Sequence, residues 1–119
     1  MSILLRDEKS LEDIVAATNW VAELVKGILE AEFYGDQKTL LAVLYQIIVM
    51  GEAVKRLSME LRTRHAKIPW SDIAGMRDKL VHDYEEVIPY RILQTVTDSA
   101  PALTTSVFDV VELEAQRGQ

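Results

Sequence analysis

The sequence predicts an all-α protein, an antiparallel four-helix up-and-down bundle, with a fifth helical piece if a proline kink divides the last helix. Three observations predict it. Apolar residues recur at steps of three and four along nearly the whole chain, the period of helices that each bury one stripe. Glycine and proline number only 5 and 3 in 119 residues, too few to punctuate strands or linkers. The breaks in the helical period are short, and short connections join antiparallel neighbours. The length suits one domain, residues 1–119, with a single core.

In the first helix, expected over residues 7–32, Leu11, Ile14, Val15, Thr18, Val21, Val25, Ile28 and Leu29 form the stripe. Glu12, Asp13, Glu23 and Lys26 fall off it. Residues 34–36 break the pattern as a turn, with Gly35 free to take positive φ. The second helix, over 36–63, carries Leu40, Leu44, Ile47, Gly51, Val54, Leu57 and Leu61 on its main stripe. Leu41, Val43, Ile48, Val49 and Met50 make it apolar on further sides, as for a central helix or one facing a second subunit. Gly51 lies on the stripe, where a neighbouring backbone can come close.

Residues 62–70 lose the period, and Pro69 disfavours helix at Ile68. Ser71 or Asp72 can cap a third helix that places Ile73, Met76, Leu80, Tyr84 and Val87 on one face. Pro89 resets the chain at a first helical position. Ile92, Val96, Ala100, Leu103, Val107, Val110 and Glu114 then keep one phase across Pro101, which predicts a long helix kinked there.

With no cysteine, disulfides, thiolate metal sites and cysteine nucleophiles are excluded. No basic-then-apolar signal segment is evident, and the longest apolar run, 40–50, is short of a membrane span and interrupted by Gln46. A cytoplasmic protein with no membrane partner is the expectation. Net charge is −6, but residues 55–82 hold seven basic side chains against three acidic ones, a local +4. Such an island suits either a phosphate site or a solvated helix end.

The chemistry concentrates in residues 77–84, RDKLVHDY, which hold Arg77, Asp78, His82 and Tyr84. A guanidinium grips phosphate oxygens with a planar fork of donors, and an imidazole moves protons near neutral pH. Together they suit cleavage of RNA. On a straight helix His82 points about 140° away from Arg77. Either the helix distorts near residues 81–83, or a second copy completes the site. Asp78, four residues before His82, shares its face and can fix its tautomer. Blander readings stand beside these: an ion pair of Arg77 with Asp78 or Glu85, a structural His82, and Tyr84 in a core or interface.

Lys79, Arg64 and Lys67 are further phosphate-binding candidates, and His65 is read as a solvated loop residue. The two histidines lack acidic partners at ligand spacing, so no metal site is expected. No phosphate-binding glycine loop occurs, so no cofactor is expected. No aromatic platform for stacking bases is visible either.

The arginine, four residues, histidine, one residue, tyrosine spacing of Arg77, His82 and Tyr84 resembles the signature of the HepT toxins of the HEPN superfamily. Asp78 fills the polar place that commonly follows the arginine, and the similarity extends through IIVMGEAVKRLSMELR (47–62) and IPWSDIAGMRDKLVH (68–82). Asp83 stands where many relatives have glycine. The resemblance implies a HEPN-like helical fold and a metal-independent endoribonuclease. It implies a homodimer, with Arg77 and His82 catalytic and Asp78 supporting them in an interface cleft. It also implies a toxin–antitoxin pair with a minimal nucleotidyltransferase antitoxin, which transfers AMP to Tyr84, and an RNA substrate, tRNA or mRNA. The reading from another class is a non-catalytic dimeric helical adaptor that presents the motif to such a nucleotidyltransferase.

Overall fold

A computed structural model describes residues 5–82, 91–92 and 100–117. Within them lie six helices: α1 (Leu5–Val25), α2 (Glu30–Gly35), α3 (Gln37–Arg56), α4 (Met59–Arg64), α5 (Trp70–His82) and α6 (Ala100–Arg117). Residues 91–92 are also helical, and no strand occurs among the described residues. The all-α bundle is as expected; its joints are not where the period alone placed them.

The helix expected over 7–32 is two helices. α1 ends at Val25, and Gly27 takes φ +70°, the left-handed conformation that lets the chain leave a helix. Gly35, expected to do this, is instead the last residue of α2. The break turns α2 so that Phe33, fully buried, enters a cluster with Val21, Val43, Ile47, Leu80 and Ile92. The side chain of Glu32 accepts from the Leu29 N–H at 3.1 Å and closes the start of α2.

Asp36 caps α3, accepting from Thr39 N at 3.0 Å and Thr39 Oγ1 at 2.5 Å, and these bonds hold its carboxyl below the usual carboxylate range. α3 is long and apolar enough to cross a membrane by length and composition. Here Val43, Ile47, Met50, Gly51, Ala53 and Val54 are buried, and the helix packs on α1 and α5.

The helix expected over 36–63 is divided too. Leu57 and Ser58 are extended, with ψ 142° and 153°. Ser58 Oγ accepts from Leu61 N at 3.2 Å and so caps α4. The Asp7 carboxylate, 51 residues away, accepts from Ser58 N at 2.8 Å and Ser58 Oγ at 2.6 Å. Asp7 is only 2% exposed, so this contact fixes the start of α1 against the end of α3.

α5 begins two or three residues earlier than the capping signal suggested. Trp70 is its first residue, and Ile73 N donates to Pro69 O at 3.2 Å. Ser71 and Asp72 therefore lie inside the first turn, where Asp72 favours the positive end of the helix dipole. Trp70 is buried, and its Nε1 donates to His65 O at 3.0 Å.

The elements run antiparallel. Along α3 the buried residues go from Val43 to Val54 while their α5 partners go from Leu80 back to Trp70. α6 packs on α1, with Val107 and Val110 against the cluster that holds Leu11, Ile14, Leu57 and Leu61. Pro89 and the expected kink at Pro101 depend on residues 83–90 and 93–99, outside the described residues.

Candidate functional site

The site begins at a glycine. A Cβ on Gly51 would fall 2.8 Å from Arg77 Cγ and 3.3 Å from Ile73 O, and nearer still to Arg77 Cβ. α5 can lie this close to α3 only because residue 51 has no side chain. The expected close approach at Gly51 is real, and the residue it brings in is Arg77.

Arg77 crosses α3 with its side chain 22% exposed. Its Nη2 pairs with Glu52 Oε1, and its Nη1 donates to Asp78 Oδ1 at 2.9 Å. Lys55 Nζ donates to the same Asp78 Oδ1 at 2.5 Å. Glu52 and Lys55 are three residues apart and so share a face of α3. The hydrogen bond from Lys55, then the one from Arg77, holds the Asp78 carboxyl below the usual carboxylate range. Arg77 Nε is buried and has no hydrogen-bond partner among the described residues.

His82 closes α5 and is exposed, with no hydrogen-bond or ion-pair partner among the described residues. α5 is α-helical through His82, so the described part of the chain contains no distortion that would swing the imidazole toward Arg77. Asp78 was expected beside the imidazole; two permanent cations, Lys55 and Arg77, take its carboxylate instead. Lys79 is exposed on α5. Tyr84, Asp83 and Glu85 lie outside the described residues.

The other basic candidates separate. Arg64 is committed to Glu114, with Nη2 to Oε1 at 2.6 Å and Nε to Oε2 at 3.3 Å. His65, expected in solvent, is 14% exposed in its side chain, with Nε2 2.9 Å from Glu114 Oε2. The correction has a physical cause: Glu114 is buried on α6 and needs every donor within reach. Lys67 is exposed in the loop before α5. An open groove of about 430 Å³ lies between α4 and the start of α5, lined by Met59, Arg62, Pro69 and Trp70 among others, and neither Arg77 nor His82 lines it.

The site residues missed from the sequence are Glu52 and Lys55. The available signal was their helical spacing beside Gly51, which aims both at whatever packs on that glycine.

Comparison with known proteins gives a consistent result. The family model described as "Ribonuclease HepT-like" matches residues 14–108. A protein of Caldanaerobacter subterraneus subsp. tengcongensis, carrying the provisional name of an RNase, is 40% identical over 105 residues, covering 87% of this chain and 93% of the relative. A protein of Thermococcus cleftensis named a probable ribonuclease HepT is 37% identical over 93 residues, covering 78% of this chain and 84% of the relative. A protein of Methanocaldococcus jannaschii, also provisionally named an RNase, is 32% identical over 99 residues, covering 82% and 85% respectively. No solved structure matches the chain significantly.

Proposed function

Because the chain belongs to the HepT-like ribonuclease family, we propose that it cleaves RNA without a metal ion, by transesterification at Arg77 and His82. The observation that carries this reading is the seating of Arg77: a guanidinium fixed across Gly51, still partly open to solvent, on the same helix as an exposed histidine with no partner among the described residues. In the reaction His82 takes the proton of a ribose 2′-OH, and that oxygen attacks the adjacent phosphorus. The bond from phosphorus to the 5′ oxygen breaks, and the leaving oxygen takes a proton from an imidazolium. A 2′,3′-cyclic phosphate and a 5′-OH result. Arg77 stabilises the charge that builds on the non-bridging oxygens.

Two copies form the site in this proposal, because His82 and Arg77 point about 140° apart on a regular helix. Leu41 and Tyr45 support self-association: they are 56% and 64% exposed, and their spacing puts them on one face of α3 with Ile48 and Glu52. We place the protein in the cytoplasm as the toxin of a pair with a minimal nucleotidyltransferase antitoxin. AMP transferred to Tyr84 would put a bulky anion beside Arg77 and His82 and exclude RNA. Asp78 acts on Arg77 in this reading, and exposed Lys67 and Lys79 add attraction for phosphate.

The experiment is incubation of the purified protein with tRNA and with mRNA in EDTA, followed by end-group analysis. Cyclic phosphate ends, lost in both Arg77→Ala and His82→Ala while both variants stay folded, are the expected result. Intact RNA beside tight binding of the nucleotidyltransferase would leave the adaptor reading. Full activity in both variants would end the mechanism.

A further inference from the structure

In this protomer each terminal nitrogen of Arg77 already holds a carboxylate, Nη2 that of Glu52 and Nη1 that of Asp78. Each terminal nitrogen keeps a second N–H, but a phosphodiester that is to sit on the edge of the fork the carboxylates occupy must displace at least one of them. The two carboxylates are not equivalent. Glu52 has no second cation among the described residues, whereas Asp78 Oδ1 is shared between Arg77 and Lys55. If Arg77 lets go of Asp78, the carboxylate keeps a charged partner. If it lets go of Glu52, a half-exposed carboxylate is left with water alone.

We propose that Glu52 and Lys55 are positioning residues for Arg77: Glu52 anchors Nη2 throughout the reaction, and Lys55 retains Asp78 when Nη1 transfers to the substrate phosphate. This rests on the reading of Arg77 as the phosphate-stabilising group. The anchoring has a steric complement. The stem of Arg77 is confined against Gly51, so its free end is the part that can wander, and Glu52 is the neighbouring residue of α3. Glu52 sets where the guanidinium sits, and Lys55 sets how easily it is released. The two residues therefore act on different kinetic constants.

The test is steady-state cleavage of one RNA by the purified full chain, comparing Arg77→Ala, Glu52→Ala, Glu52→Gln, Lys55→Met and Lys55→Arg, each checked for an unchanged melting temperature. Glu52→Ala lowers kcat about 10- to 100-fold, as misplacement of a catalytic group does. Glu52→Gln, which can still accept from Nη2, recovers most of that loss. Lys55→Met leaves Asp78 on Arg77 and raises KM about fivefold or more with little change in kcat, and Lys55→Arg restores it. Unchanged constants in Glu52→Ala and Lys55→Met, beside an inactive Arg77→Ala, overturn this inference alone. An Arg77→Ala variant that cleaves normally overturns the reading of the site beneath it. Should Glu52→Ala lose stability, the conservative Glu52→Gln and Lys55→Arg variants decide: equal loss of kcat in Glu52→Gln, or no rescue of KM in Lys55→Arg, counts against the proposal.

Discussion

A carboxylate as deeply buried as Glu114, 1% exposed, costs several kcal/mol unless donors surround it. Arg64 and His65 do so at 2.6 and 2.9 Å, and Arg117 adds a weaker pair at 3.7 Å. Burial pushes the Glu114 carboxyl up, but hydrogen bonds from Arg64 and His65 outweigh it, so the group titrates below its ordinary 4.5. A depressed carboxyl pKa contributes stability that is complete above the unfolded value and is lost as pH falls through the folded one. Wild-type unfolding free energy should therefore drop more steeply below about pH 5 than that of Glu114→Gln. Glu114→Ala at neutral pH should cost about 3 kcal/mol, a melting-point loss on the order of 10 °C, since Arg64 can partly return to water while His65 cannot. Parallel pH profiles in denaturant titrations would contradict this account of the cluster. The sequence could not show it. Glu114 sits in phase with an apolar stripe, and Arg64 and His65 are about fifty residues away, so spacing alone read His65 as solvated and Arg64 as a phosphate-binding candidate.

Among the elements, the faces were legible and the joints were not. Leu11, Ile14, Val21, Ile47, Val54, Val107 and Val110 are buried as their period requires, because burial acts on every turn of a helix. The joints at Gly27 and Ser58 depend on contacts outside the local pattern. Phe33 joins the cluster of Val21, Val43 and Ile47 only if α1 stops early, and Ser58 is held by Asp7 across the bundle. Gly51 was legible because a glycine on a buried stripe has few other reasons to be there. Replacing it separates two effects. Gly51→Ala gains about 1 kcal/mol of intrinsic helix preference. Against this stands overpacking of about 1–3 kcal/mol, since the Arg77 stem and Ile73 O would have to move. Steric cost should win, with lowered stability in urea and RNA cleavage reduced about tenfold as α5 shifts. Gly75→Ala on α5 meets nothing within 4 Å and should be neutral or slightly stabilising, with cleavage unchanged. Equal behaviour of the two variants would remove the close approach from the account.

For the whole molecule, the charge pattern means less than it suggested. The +4 island is largely neutralised from outside itself. Asp13 of α1 reaches Arg56 at 3.8 Å, Glu52 of α3 takes Arg77, and Glu114 of α6 takes Arg64. Arg62, Lys67 and Lys79 keep no carboxylate partner among the described residues. What remains for substrate is a narrow set of cations and one guanidinium, Arg77, whose bond to Asp78 can be given up. A linear sequence exposes the cluster but hides its partners, because folding brings acids from α1, α6 and an earlier turn of α3 to it. The motif and its spacing were fully legible; the direction in which each side chain points was not, beyond the turn angle of a helix. That angle is what the proposed second copy answers.

The most direct measurement is complementation between inactive protomers. Arg77→Ala and His82→Ala chains carrying different tags are co-expressed, and the mixed dimer is isolated through both tags and assayed for cyclic phosphate formation. If Arg77 of one copy works with His82 of the other, the mixed dimer holds one intact pair and regains about half of wild-type activity, while each parent dimer stays inactive. A mixed dimer as inactive as its parents, or the absence of any dimer beside an active wild-type monomer, would contradict the claim that the site is built from two chains.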